Sequence, residues 1–374
     1  MAKKNDVKLH DIVGLLHALY PPGLAEEWDN VGLQVGDARQ TVARLLVSLD
    51  PTAAALDAAR RGGAQLLVCH HPLIFKPLQS VTADGSVGDI VRQAIKDDIA
   101  IVCAHTNLDR AAAGLNDWLA ERLGLIDTLP LAAAGDLFKL TVYVPLGHEE
   151  AVATALFSAG AGAIGNYDHC SFRTAGTGTF RPGTGSSPFV GTPGTTTQVE
   201  EVRLETIVPA EALPRTLKRM FTAHPYEEVA YDVVPLHNRR ADIGLGRLGM
   251  TTQKISLAAF VDQVKERLEI SALRLVGDCS RMVGKVAVCG GSGASLLVGA
   301  QRQGADVLVT GDVDYHTARR AEELGIAVID AGHFATEKIM VRGLEQALRS
   351  AAEKKGYRLE IDALTTECDP FKYL

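Results

Sequence analysis

Ala64-Gln65-Leu66-Leu67-Val68-Cys69-His70-His71-Pro72 is the stretch on which the fold class turns. Its apolar part, residues 64–69, reads as a strand. The two histidines that close it stand just past the carboxyl end of that strand, where an α/β sheet places its chemistry. Working outward, residues 43–49 and 99–103 are strands of the same apolar, β-branched kind, and residues 53–61 and 89–97 carry helical patterns between them. This alternation predicts βαβ crossovers and a largely parallel sheet.

The same grammar returns near the C-terminus in the strand-like runs 285–289, 306–309 and 326–329. Polar or glycine-rich residues follow each strand: Asp50-Pro51, His70-His71, His105 to Asp109, Gly290 to Gly293, Thr310 to Asp312, and Asp330 to His333. Such ends predict that the two terminal portions build one α/β unit with a shared rim. Residues 137–240 change character, with strands at 138–145 and 202–209 followed by helices at 149–160 and 210–223, the pattern of a split βαβ insert. Its middle, residues 176–197, is rich in Gly, Thr, Ser and Pro and reads as a long loop rather than core. The expected fold is therefore α/β: a discontinuous two-part core, residues 1–136 and 241–374, with a largely parallel sheet. A ferredoxin-like α+β domain is inserted at 137–240.

The bulk composition narrows the class. A chain of 374 residues, 47% hydrophobic and 22% charged, suits two or three domains with sizeable cores. A net charge of -7 opposes adhesion to phosphate backbones or anionic membranes, so neither nucleic acid nor a membrane is an expected partner. The six cysteines, Cys69, Cys103, Cys170, Cys279, Cys289 and Cys368, show no CxxC or CxxxC spacing, which points to a reducing cytoplasm without disulfides. The first residues lack the continuous apolar segment of a signal peptide, and no run approaches the roughly 18 apolar residues that span a bilayer.

The candidate chemistry lies at the strand ends. His333 and Glu337 are one helical turn apart, and the stripe they begin continues through Met340, Leu344, Ala347 and Ala351, which turns both side chains inward. A buried carboxylate needs a partner; metal coordination is one solution, and a salt-bridged helix start is the other. Successive strand residues point to opposite faces, so His70 and His71 share a site only where the strand has ended, with Pro72 holding His71 extended. Asp109 stands at the next strand end. Such His, Asp and Glu ligands fit zinc, manganese, iron, cobalt or nickel without choosing among them. Five ligands exceed the complement of one catalytic zinc, and two metals about 3.5–4 Å apart would share them and supply hydroxide near neutral pH. Glu337 and His316 are the catalytic candidates: Glu337 within the ligand set, and His316, four residues after Asp312, as proton donor or partner of a ligand. The Gly290-Gly291-Ser292-Gly293 run is not GxGxxG, and a tight turn explains it better than a phosphate cradle.

At these residues the chain resembles the Nif-three-like family, often labelled GTP cyclohydrolase I type 2 homologues. The matching segments are WDNVGLQVG (28–36), CHHPLIF (69–75), AHTNLD (104–109), CGGSG (289–293), TGDVDYH (310–316) and DAGHFATE (330–337). The resemblance implies two divalent metal ions per subunit, zinc foremost, on His70, His71, Asp109, His333 and Glu337. It also implies a toroidal homohexamer with the metals facing an interior cavity. GTGTFRPGTGSSPFVGTPG (176–194) and HPYEEVAYDVVPL (224–236) match the long members, whose middle domain is of the PII or CutA type. The function implied is a cytoplasmic, metal-dependent hydrolase acting on a small molecule, with GTP and the opening of its guanine imidazole ring as the leading case. The alternative is a non-catalytic, ring-shaped metal-binding regulatory or scaffold protein whose central domain senses a small molecule.

Overall fold

The computed structural model describes residues 6–83 and 87–372. The chain divides into two compact units, one built from residues 1–133 with 242–374 and the other from residues 134–241. In chain order the strands are β1 (Gly32–Val35), β2 (Arg44–Ser48), β3 (Leu66–Cys69), β4 (Ala100–Cys103), β5 (Ile126–Ala133), β6 (Asp136–Pro145), β7 (Ser171–Phe180) and β8 (Thr197–Pro209). They continue with β9 (Tyr231–Arg239), β10 (Gly244–Ser256), β11 (Arg274–Val276), β12 (Met282–Ser292), β13 (Val307–Gly311), β14 (Ala327–Asp330) and β15 (Glu360–Ala363).

The larger unit is mixed α/β, and where one largely parallel sheet was expected there are two mixed sheets. The first has the order β1-β4-β3-β2-β15, parallel except for β1, and the second the order β11-β14-β13-β12-β10-β5, parallel only across β12, β13 and β14. Each takes a strand from the other end of the chain, since β15 pairs with β2 and β5 with β10. Neither strand announces itself: β15 is four residues with two acids, and β5 contains Pro130 and buries only Leu131. Pairing decides them, with Arg44 and Glu360 joined by an ion pair beside β15. The central parallel strands β3, β4 and β14 are buried at every position, as sheets covered on both faces require. Helix Ala53–Gly62 covers one face of the first sheet, opened by Thr52 accepting from the Ala55 N–H and closed by Gly63 in the left-handed region at φ 69°.

The helix expected to run unbroken from His333 is two helices, His333–Glu337 and Ile339–Lys355. Lys338, at φ -52° and ψ -24°, joins them in a 3-10-like turn. The longer helix buries Met340, Leu344, Leu348 and Ala352 in place of Ala347 and Ala351.

In residues 134–241 the sheet order is β7-β8-β6-β9, all neighbours antiparallel, with helices Glu149–Ser158 and Leu213–Ala223. Leu140, Val142, Val144, Val152, Leu156, Leu204, Val208 and Met220 form its core. The loop expected at 176–197 is shorter, because β7 continues through Phe180 and pairs Gly176–Phe180 with Glu201–Thr197. An edge strand needs no core side chains of its own, so Thr alternating with Gly suffices there.

Candidate metal centre

His70 and His71 leave the end of β3, and Asp109 lies on the short helix Thr106–Arg110 that follows β4. His333 and Glu337 occupy the short helix after β14, on the second sheet. The carboxyl ends of the two sheets thus converge. Glu337 turns Oε1 toward His70 Nε2 at 3.7 Å, and His70 Nε2 is 3.6 Å from Asp109 Oδ1. Its other oxygen, Oε2, is 3.0 Å from His71 Nε2 and 2.9 Å from His333 Nε2, and these two ring nitrogens are 3.3 Å apart. One carboxylate therefore faces two half-sites, one oxygen to each.

The far side of each ring fixes its tautomer. Nδ1 of His70 donates to the Ala104 carbonyl at 2.9 Å, that of His71 to Asp50 at 2.8 Å, and that of His333 to Asp312 at 2.7 Å. With Nδ1 carrying the proton, every Nε2 presents a lone pair to the cluster, the usual arrangement behind a metal-ligating histidine. His70 Nε2 and Asp109 Oδ1 are buried there without a hydrogen-bond partner, and Glu337 Oε2 meets only the ring nitrogens of His71 and His333. Electron-rich atoms packed this closely need a positive charge among them, either protons on the rings or a bound cation. The donor set fits a divalent metal.

Electrostatics point the same way. Burial opposes charging His71, but the hydrogen bonds to Asp50 and Glu337 outweigh it and raise its pKa to about 10. The Glu337 hydrogen bond raises His333 to about 9 against burial. Burial lifts Asp109 to about 7 although His70 pulls the other way. Burial would also raise Glu337, yet His70, His333 and His71 together hold it well below the ordinary carboxylate range. The surroundings of Glu337 thus hold its carboxylate ionised in spite of burial, and favour positive charge beside it.

The glycine run belongs to this site, though not as a phosphate cradle. The N–H groups of Gly290, Gly291 and Gly293 already donate to Asn116 Oδ1, Thr336 Oγ1 and Thr310 Oγ1. Gly291 sits at φ 60°, and a Cβ there would collide with Glu337 Oε1. Asn116 also donates to the Asp109 carbonyl at 2.9 Å, so one amide ties the strand under Glu337 to the segment carrying Asp109.

His105 escaped the reading of the sequence as a ligand. Its ring joins His70 and His71 in one group of converging donor atoms, as His71, His333 and Glu337 form another. Its Nδ1 is held by Asp29 at 2.9 Å, and Asp29, whose burial is outweighed by hydrogen bonds from His105 and Thr106, is lowered to about 2. The available signal was its place at a strand end, matching that of His70. Asp312 is not on a helix with His316: it lies in the left-handed region at φ 54° ahead of helix Tyr315–Leu324 and supports His333. His316 is exposed, its ring edge-on to Tyr315. A cavity of about 640 Å³ opens beside His71 and His333, with Asp50, Arg274, Asp312, Asp330 and Lys372 in its wall.

Fold and site together define an α/β protein with a histidine–carboxylate cluster of metal-binding type where two sheets converge. The model of the Duf34/NIF3 (NGG1p interacting factor 3) family matches residues 7–370, and the chain belongs to that family. It is 42% identical to the "GTP cyclohydrolase 1 type 2 homolog" of Bacillus subtilis, over 100% of both chains. A protein of the same name from Halalkalibacterium halodurans is 41% identical, over 97% of this chain and 98% of its own. A crystal structure of a Bacillus cereus protein related to NIF3 superposes with a TM-score of 0.88 at 43% identity, covering 99% of this chain and 100% of that one. Among the described residues no helix is long and apolar enough to cross a membrane.

Proposed function

We propose that the larger unit holds two divalent metal ions and hydrolyses a small molecule, with GTP the first substrate to test. The observation that carries this reading is the pair of buried, unpartnered atoms His70 Nε2 and Asp109 Oδ1, each costing roughly 1–3 kcal/mol unless a charge offsets it, beside the buried carboxylate of Glu337. His70, Asp109 and Glu337 Oε1 would hold one ion, and His71, His333 and Glu337 Oε2 the other. When bound, the ions supply Lewis acidity and lower the pKa of water.

The rest is the work of this chain's own side chains. Asp50 and Asp312 fix the rings of His71 and His333. His105, steadied by Asp29, can hold or pass a proton at Nε2; His316 is a second proton-carrying candidate. The adjoining cavity has the volume of a small-molecule site. GTP comes first because the relatives' printed name contains it.

The test is metal analysis with a screen of GTP, other nucleotides and phosphoesters, on wild-type and Glu337→Ala protein. Turnover that disappears with Glu337 supports the assignment, and turnover that survives the substitution refutes it. Metal without turnover of any substrate favours a non-catalytic, metal-binding regulatory protein, the reading to which the separate cavity in residues 134–241 lends support. The strand order of that unit supports a ferredoxin-like module. A homohexamer, which the family resemblance suggests, is tested by light scattering on the purified chain.

A further inference from the structure

Residues 134–241 contain a cavity of about 470 Å³, within the range of small-molecule sites. Tyr226 stands in its wall between two phenyl rings, 6.1 Å from the centroids of Phe180 and of Phe189. Three carboxylates share the lining, Glu201, Glu227 and Glu228, and no Lys, Arg or His does.

Glu201 is the unusual member. It is only 8% exposed, it accepts a hydrogen bond from the Tyr226 hydroxyl at 2.9 Å on Oε1, and among the described residues no lysine or arginine forms an ion pair with it. Gly178 across the strand pair is required for its position, since a Cβ there would strike Oε2. A buried carboxylate without a cationic partner is costly, so a chain that clears space for one places it to meet a positive charge. Glu227 acts on the loop instead. Both of its oxygens accept from the Ser187 N–H, which pins the 181–196 loop carrying Phe189 over the cavity.

We propose that this cavity binds an organic ammonium ion, its charge met by Glu201 and its alkyl groups by the rings of Phe180, Phe189 and Tyr226. Aromatic walls with an acidic residue among them favour an alkylammonium over a bare metal ion, because ring faces attract a desolvated cation and offer a metal no donor atoms. The carboxylates also do not converge as the ligands of the metal centre do. This inference is independent of the hydrolase reading.

The experiment is calorimetric titration of the full chain with choline, with putrescine, and with the neutral isostere of choline in which carbon replaces the quaternary nitrogen. Saturable binding of either cation is expected, absent for the isostere and weakened about tenfold or more in Glu201→Gln, the loss of about 1.4 kcal/mol of interaction. Phe189→Ala removes a ring that is 52% exposed, so it tests the cage should the Glu201 variant fold poorly. The proposal is overturned if neither cation binds, if the isostere binds as well as choline, or if both variants bind as the wild type does.

Discussion

Glu337 is the residue on which the cluster depends, because its two oxygens face different histidines and its backbone neighbourhood was cleared to glycine. Glu337→Gln should empty both half-sites, read as loss of bound metal by elemental analysis. Asp312→Asn leaves the ligand in place but no longer fixes the His333 tautomer, and metal affinity should fall by about 10–100-fold in a competition titration. The histidine pKa values give a pH prediction for the metal-free chain. His71 and His333 are raised from about 6.5 to about 10 and about 9, so the stability they contribute is complete below about pH 6.5 and is lost as pH rises through 9 to 10. Denaturant titrations of metal-stripped protein across that range would check the sign. Metal binding must expel those protons, so uptake should acidify a weakly buffered solution.

At the scale of elements, the parallel strands and the polar residues at their ends were legible because a strand buried on both faces is an unbroken apolar run in the sequence, as in Leu66-Leu67-Val68-Cys69. Their edge partners were not. β15 and β5 owe their state to the edge they pair with, and no local pattern records that. Arg247 on β10 shows the same limit. It is 2% exposed, pairs with Asp117 through two hydrogen bonds of 2.5 and 2.7 Å, and also donates to the Ala111, Gly244 and Gly246 carbonyls. Arg247→Ala would strand these acceptors, and chemical denaturation should show a loss of about 3–5 kcal/mol. Gly291→Ala is expected to displace Glu337 and lower metal content while the fold persists, with circular dichroism and elemental analysis as the paired readouts.

For the whole molecule, every ligand candidate of the cluster falls in the larger unit, although the 134–241 segment separates its halves in the chain. Ala133 and Gly244 are paired across β5 and β10, so the ends of the 134–241 segment leave from one place on that sheet. Replacing the segment by a short turn should therefore leave metal content unchanged, and a product without metal would contradict the assignment.

The sequence by itself determined the α/β class and the strand-end residues His70, His71, Asp109, His333 and Glu337 as candidates, because burial and helical spacing are local properties written in residue order. Tertiary structure decided that the larger unit has two sheets, that His105 joins the cluster while Asp312 and Asp50 support it, and that Gly291 makes room for Glu337. Those outcomes depend on which strand edges meet and which side chains are brought within hydrogen-bonding or metal-binding reach across the chain, and no spacing along the sequence encodes them.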